Sequence, residues 1–486
     1  MWDSPLGVRG GRVDIEARHP RRLFFSQRRR TNRIDLLSSL CPPGPRISRL
    51  DGLLLATRRR DPLNFLVDLA REYGDITHFQ IGSQRVFLLN HPDYIKDAHD
   101  RYYESFVKGR QDSTRRHFLG EGLLTAEGEL HRCHRRLIQP AFHKYIFAKQ
   151  EAVTLEQGAR VCERWRHGEQ VNIAREMKRL TLSITSQIFF NTNTDSEADE
   201  INDAMKLVVS QFAPFGSPLG SLRARLPMSR GRRRLDAAKA TIDGIIRRRL
   251  AERRQSGEEH DDLLSTLVSA LNDPDTDPHT NELRIRDETV TFFLAGFETL
   301  GTALTWTWYL LSQNPAAQAE LENECDRALG SKLPSVADLH ELSYTKAVFA
   351  EAMRIYPPIW ALARYLVRDF EAGGYVLPAR SIVIMSQYLM HRDPRYFADP
   401  LKFDPRRWTP EAKSSRPQYS YFPFGGGPRG CLGEGLAWTQ GVLLIASIAQ
   451  RWRMKSCMTR PLELQPGITL QPKHDIVLQL EQRDAH

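Results

Sequence analysis

Four groups of residues in this chain carry chemistry by type and spacing. Nearest the C-terminus, Phe424-Gly425-Gly426-Gly427-Pro428-Arg429-Gly430-Cys431-Leu432-Gly433 is a glycine-rich loop ending on one cysteine, followed by an apolar run to Ala449. Glycines let backbone approach a partner closely. Arg429 places a cation two residues before the sulfur, and the spacing puts Cys431 at a helix N-terminus, where free N–H groups favour a thiolate. These are the needs of a thiolate metal ligand. A phosphate cradle is excluded, because no Lys-Ser/Thr follows the glycines. A buried structural cysteine beside a glycine turn is the plain alternative.

Upstream, Ala295-Gly296-Phe297-Glu298-Thr299 lies in an apolar stretch. Ala295 and Thr299 are i, i+4 neighbours, so the Thr hydroxyl can bond the Ala carbonyl and open the helix locally. Gly296 leaves room for a flat ligand, and an adjacent acid and hydroxyl can relay protons. The plain alternative is a packing glycine and a satisfied threonine. Glu351 and Arg354 stand at i, i+3 on one helix face, a spacing that alone marks a common ion pair. His131 and Arg135, within His131-Arg132-Cys133-His134-Arg135-Arg136, are i, i+4 donors to carboxylates or simply a solvated basic face.

These groups must be positioned by a large body. The chain has 486 residues and 55.8 kDa, with 41% hydrophobic and 26% charged residues. That excludes a disordered chain and a polytopic membrane protein, and it allows a core that encloses a cofactor. Six scattered cysteines without a CxxC pair exclude a disulfide framework and a zinc ribbon, and fit a reducing compartment. Lys and Arg number 69 against 59 acids, a net charge of +10 with a pI near 9.3. Much of the excess is local: residues 1–41 hold nine arginines and four acids. This segment reads as a flexible basic extension, with a transit-type segment or a start assigned too far upstream as alternatives; no apolar h-region supports secretion.

Pro42-Pro43-Gly44-Pro45 marks the start of the globular body, 42–486. Helical spacing covers Leu63–Tyr73 and stops at Gly74, and Ile76–Phe79 with Arg85–Leu89 flank Gly82-Ser83 as a hairpin. From about residue 130 helix follows helix. Short strands return at Tyr375–Leu377 and Ile382–Met385, with a terminal pair near Ile468–Leu470 and Ile476–Leu480. Thr289–Leu311 carries one charge, Glu298, in 23 residues. At roughly 35 Å it could span a bilayer, but a carboxylate at the centre of a lone membrane helix is costly. A buried core helix capped by Asp287 and stopped by Asn314-Pro315 is the expectation.

The loop resembles the F-x-x-G-x-R-x-C-x-G signature of the cytochrome P-450 family through Phe424, Gly427, Arg429, Cys431 and Gly433. Ala295–Thr299 is similar to the family's A/G-G-x-D/E-T, and Glu351-x-x-Arg354 to its E-x-x-R. Phe403-Asp404-Pro405-Arg406-Arg407-Trp408 resembles the P-E-R-F/W segment, with Arg406 where the family has Glu. His131-x-x-x-Arg135 is similar to its W/H-x-x-x-R helix. Four motifs occur in the family's order between Pro42 and Gln482.

The resemblance implies a mainly α fold with small β-sheets, a single large heme-thiolate domain. It implies heme b (iron protoporphyrin IX) with Cys431 as axial ligand, Phe424 shielding the sulfur, and backbone N–H groups near Leu432 and Gly433 tuning it. Arg429, His131, Arg135 and Arg364 would meet propionates, and Ala295 and Gly433 would lie against the cofactor. Thr299 and Glu298 would pass protons, and Glu351, Arg354 and Arg407 would form a buried ion network that locks the loop.

The implied reaction is insertion of one oxygen atom from O2 into a lipophilic substrate. Its electrons would come from a separate ferredoxin or flavodoxin with a reductase, since 55 residues follow Cys431 and no Rossmann GxGxxG fingerprint stands elsewhere to support a flavin or nicotinamide domain. A heme-thiolate isomerase or peroxygenase and a non-catalytic heme sensor are the alternatives; Glu298-Thr299 argues for O2 activation. Substrate contacts are expected from 106–124, 208–226, 292–299, 357–363 and 466–469, with Phe212, Pro214, Phe215, Pro218 and Leu219 as an apolar lid. A cytoplasmic protein without transmembrane anchor or nucleic-acid partner is expected.

Overall fold

The computed structural model describes residues 41–45, 61–81, 83–109, 113–144, 146–190, 204, 230–256, 263–271 and 274–483. The expected apolar lid at 212–219 and residues 1–40 of the basic extension lie outside the described residues.

Alternating apolar residues pair β1 (Ile76–Ile81) with β2 (Gln84–Leu89) as an antiparallel hairpin, Ile81 opposite Gln84. β2 runs parallel to β8 (Ile382–Met385). Next come β5 (Leu362–Leu366) and β3 (Phe106–Val107), giving the order β1-β2-β8-β5-β3. β6 (Phe370–Ala372) and β7 (Tyr375–Leu377) form a separate hairpin. A three-stranded sheet joins β4 (Gln170–Asn172), β12 (Val477–Gln482) and β9 (Trp452–Ser456). The expected pairing of Ile468–Leu470 with Ile476–Leu480 is not formed. Gly467 N–H donates to Thr469 O at 3.0 Å, turning the chain back at once. β11 (Leu470–Pro472) therefore pairs with β10 (Leu464–Pro466), and β12 takes β9, Leu480 opposite Met454.

Helices fill the rest. They are α1 (Pro62–Tyr73), α2 (Pro92–Lys96), α3 (Ser113–Leu119), α4 (Gly128–Lys144), α5 (Ile146–Arg164), α6 (Ile173–Phe190), α7 (Arg230–Ser256), α8 (Leu263–Leu271), α9 (Pro278–Gln313), α10 (Pro315–Leu329), α11 (Ser343–Ile355), α12 (Gln387–Met390), α13 (Pro410–Ser414) and α14 (Glu434–Ala449). α1 starts and stops as its sequence dictates. Asp61 accepts from Asn64 N–H at 3.1 Å, Pro62 opens the first turn, and Gly74 at φ +86° ends it.

α9 is the axis of the fold. It runs 36 residues, about 54 Å at 1.5 Å per residue, and begins at Pro278, well before the expected start at Thr289. Asp277, not Asp287, caps it, accepting from Thr280 N–H at 3.0 Å, with Pro278 in the first turn. The early turns are polar, so the apolar run alone concealed them. Asp287 instead accepts Glu121 N–H at 2.7 Å and pairs with Arg286 at 2.8 Å. From Thr289 to Leu311 nearly every side chain is buried within one core that also takes in α6, α11 and α14. α6 lies close against α9, because a Cβ on Gly301 would meet Thr181 Oγ1 at 2.8 Å and Lys178 Cα at 3.2 Å. Among the described residues no helix is long and apolar enough to cross a membrane.

Candidate active site

The cysteine loop is held from behind. Glu351 and Arg354 on α11 are fully buried and meet twice, Nε to Oε2 and Nη2 to Oε1, both at 2.8 Å. Arg407 Nε reaches Glu351 Oε1 at 3.3 Å. Trp408 Nε1 and Asp404 N–H add bonds of 3.0 Å each, so the carboxylate is saturated. Arg354 also donates to the carbonyls of His391 (2.9 Å), Pro400 (2.7 Å) and Lys402 (3.2 Å). His391 in turn accepts Phe422 N–H at 2.9 Å, and Tyr421 Oη donates to Ala350 O at 3.0 Å. The ion network thus reaches the start of the loop through His391 and Tyr421.

Two glycines in the loop allow no side chain. A Cβ on Gly426 would lie 2.2 Å from Tyr419 Oη, and one on Gly427, whose φ is +61°, would lie 2.1 Å from His99 O. The loop closes on itself through Cys431 N–H to Phe424 O at 2.9 Å, and Arg135 Nη1 donates to Gly430 O at 2.8 Å. Phe424 also packs on Trp438, ring centroids 5.8 Å apart. The sulfur of Cys431 is accessible, yet protein surrounds it closely enough that burial pushes the thiol up to about 11. The Gly433 N–H and the Arg135 charge oppose that rise without cancelling it. α14 begins at Glu434, three residues on, and in the metal-free thiol desolvation outweighs the local donors. A metal on the sulfur would favour the thiolate instead.

The second group of motif residues lies on α9. Within its buried stretch the chain opens at Ala295, Gly296 and Thr299. Thr299 Oγ1 donates to Ala295 O at 2.8 Å, the i−4 bond that the spacing predicts. Glu298 does not share that opening. It is 4% exposed, and its Oε1 accepts from Thr469 Oγ1 at 2.9 Å, Gln471 Nε2 at 2.6 Å and Lys178 Nζ at 3.4 Å. The structure thus brings Ala295 and Thr299 together and directs the acid elsewhere.

Arg429, Lys108 and Arg135 lie near His131, and Arg364 lies near His99, with partners that the sequence concealed. His131 is buried, and its pKa falls to about 3 through desolvation first, then the charges of Arg429, Lys108 and Arg135. Arg429 donates to Ala126 O at 3.1 Å and pairs with Glu127, which also accepts Lys108 N–H. Arg364 on β5 donates to Ala363 O at 3.0 Å, and its charge adds to the burial that lowers His99 to about 4. His99 stacks on Tyr419 (5.4 Å, 11°), and its buried Nε2 has no hydrogen-bond partner among the described residues. Four cations that repel protons from two buried histidines, beside an orphaned ring nitrogen, suit a dianionic edge.

Sequence reasoning missed Glu127, His99, Lys178 and Gln471, and it placed Thr469 in a substrate-contact turn, where the structure bonds it to Glu298. It also missed the buried pair of His134 with Glu288 (2.7 Å), whose carboxylate accepts Leu123 N–H at 3.0 Å. The position of Glu127, four residues before His131 at a helix entry, was the one available signal. The others depend on contacts between distant segments.

Among the described residues no three His, Cys, Asp or Glu side chains cluster to hold a bare ion. One sulfur, an opened helix and a crowded cationic edge instead suit a metal that brings its own planar ligand and carboxylates. That set defines a heme-thiolate class of site.

Comparison with known proteins agrees. The family profile described as Cytochrome P450 matches residues 42–478. Cyclooctatin synthase of Streptomyces melanosporofaciens is 36% identical over 424 residues, 86% of this chain and 89% of that protein. Cyclooctat-9-en-7-ol 5-monooxygenase of the same organism is 34% identical over 85% of this chain and 87% of its own length. Pentalenene oxygenase of Streptomyces avermitilis is 29% identical, covering 81% and 87%. A solved cytochrome P450DA heme domain superposes with a TM-score of 0.80 at 25% identity, over 92% of this chain and 99% of that one. The chain belongs to the cytochrome P450 family. It is an oxidoreductase of the monooxygenase type, and the family implies heme bound through a cysteine thiolate.

Proposed function

We propose that this protein inserts one oxygen atom of O2 into a lipophilic, cyclic alkene or alkenol, with two electrons from a separate ferredoxin or flavodoxin and its reductase. The balance is RH + O2 + 2e⁻ + 2H⁺ → ROH + H2O. The observation that carries the reading is the exposure of one turn of the otherwise buried α9. There Thr299, partly exposed, is bonded at 2.8 Å to Ala295 O. Its sequence neighbour, the buried carboxylate of Glu298, faces the other way, toward Lys178, Thr469 and Gln471, so in this reading protons reach Thr299 from behind the helix. The names of the relatives, an oxygenase of pentalenene and a monooxygenase of cyclooctat-9-en-7-ol, support the substrate class.

In this reading heme b, ligated by Cys431, supplies the oxygen activation. The Gly433 N–H and the shielding Phe424 steady the sulfur. Arg429, His131, Arg135 and Arg364, together with Lys108, hold the propionates, whose negative charge would relieve the repulsion now acting on His131. Ala295 and Gly296 leave space over the cofactor. Thr299 donates a proton toward the reacting oxygen and is recharged through Glu298. The ion network of Glu351, Arg354 and Arg407 keeps the loop in place. The reading places the enzyme in the cytoplasm.

The test is the absorption difference spectrum of dithionite-reduced protein with and without carbon monoxide, on wild type and Cys431→Ala. A strongly red-shifted Soret band that the substitution abolishes is expected. A shorter-wavelength band in the wild type, or no heme at all, overturns the assignment of Cys431.

A further inference from the structure

Glu298 does not stand alone on α9. Three donors from two distant segments converge on one of its oxygens. Lys178 comes from α6, while Thr469 and Gln471 come from the β10–β11 hairpin. Gln471 Nε2 also lies 3.0 Å from Thr302 Oγ1 and 2.7 Å from Thr469 Oγ1, and Thr302 Oγ1 donates to Glu298 O at 2.8 Å. Thr469 is fully buried and Glu298 nearly so, which leaves little water to replace these bonds.

The hairpin that supplies the clasp is anchored on both sides. Trp306 Nε1, on α9 two turns beyond Glu298, donates to Leu470 O at 2.8 Å. Leu470 N–H donates to Pro358 O at 2.9 Å, and Trp360 Nε1 to Gly467 O at 3.0 Å. The turn between the two strands, Gly467 and Ile468, is half-exposed, whereas Thr469 and Leu470 behind it are buried. One short hairpin therefore presents its tip outward and its base to the carboxylate.

We infer that Gln471 and Thr469 are positioning residues for proton delivery, holding the Glu298 carboxylate so that it recharges Thr299 from behind α9. The inference rests on the proposed Thr299–Glu298 relay and deepens it. The saturated oxygen is Oε1, and the clasp fixes the direction in which Oε2 is presented. Without the clasp the carboxylate swings with Lys178 alone, and proton transfer loses its geometry.

The experiment compares two ways of driving sulfoxidation of thioanisole by the heme-loaded protein. One uses NADPH, ferredoxin reductase, ferredoxin and O2, which consumes two protons per turnover. The other uses hydrogen peroxide: one of its oxygens passes to the thioether sulfur, which is oxidised to the sulfoxide, and the other leaves as water with both hydrogens. That route takes up no proton from outside, since the peroxide brings both hydrogens of the water. Gln471→Met, Thr469→Val and Glu298→Gln are compared with wild type, with peroxide released per O2 consumed as a second readout.

The expectation is a fall of several-fold or more in the ratio of electron-driven to peroxide-driven product in all three variants, with more peroxide released. A change in folding alone lowers both routes and leaves the ratio unmoved, which overturns the inference. If Glu298→Gln lowers the ratio and Gln471→Met does not, the relay stands and the clasp fails. If Glu298→Gln leaves the ratio unchanged, the relay itself fails. A readout independent of turnover is the thermal midpoint of Glu298→Gln, Gln471→Met and the double variant. Non-additive shifts are expected, and additive shifts overturn the clasp.

Discussion

Arg354 and Glu351 face each other at two points of 2.8 Å, and neither side chain is exposed to solvent. The pair stabilises little by itself, because two charges have left water. Its effect lies in what removal leaves behind. Arg354→Leu strands Glu351 with Arg407, Trp408 and Asp404 N–H as partners, and three backbone carbonyls lose their donor. A loss of roughly 3–5 kcal/mol is expected, measured by chemical denaturation of the loaded protein. Arg354→Lys also destabilises, since an ammonium cannot make the two-point contact. Full stability in Arg354→Lys would show that the fork geometry is unimportant.

Thr299→Ala removes a hydroxyl whose bond to Ala295 O is local to one helix turn. Stability changes little, because the side chain is only partly buried and its bond lies within one turn. Proton delivery by a positioned group contributes roughly 10²–10⁴-fold, so product per O2 consumed should fall steeply while O2 consumption continues as peroxide release. Unchanged coupling would remove Thr299 from the relay.

Gly301 is where α9 and α6 touch most closely. In Gly301→Ala the new methyl would meet Thr181 Oγ1 and the Lys178 backbone, forcing the helices apart. A cost of about 1–3 kcal/mol is expected, typical of overpacking, read from the thermal midpoint. Because Lys178 moves with α6, the same variant should also lower coupling. A neutral or stabilising outcome would mean that the two helices separate freely.

His99 ties acid stability to the loop. Desolvation first and the Arg364 charge second hold its pKa at about 4, with Asp100 opposing them, while Tyr419 stacks on the ring. The unfolded chain takes up this proton near pH 6.5 and the folded one only near pH 4. Folding stability is therefore unaffected above about pH 6.5 and declines as pH falls toward 4. His99→Phe keeps the stacking and removes the titration. The urea midpoint of the variant should depend less on pH between 6.5 and 4 than that of the wild type; parallel profiles would contradict the assignment.

The elements legible in the sequence were those governed by short-range rules. The hydrophobic spacing and Gly74 bounded α1. The alternation in Ile76–Leu89 marked the first hairpin, and the uninterrupted apolar run marked α9 as a core helix. The four motifs identified the family because cofactor chemistry demands particular side chains at particular spacings. Thr299 with Ala295 was equally readable, since an i−4 bond involves only one turn.

What the sequence could not decide was the environment of each motif residue. The metal-free thiol of Cys431 is raised by desolvation, an effect of packing that its place before α14 does not reveal. Glu298 lies beside Thr299 along the chain but turns to Thr469 and Gln471, more than 170 residues away. Glu127 meets Arg429 across a gap of 302 residues. Spacing sets which atoms a residue offers. Burial and long-range contact, which exist only once the chain has packed, set the charge it carries and the atom it faces.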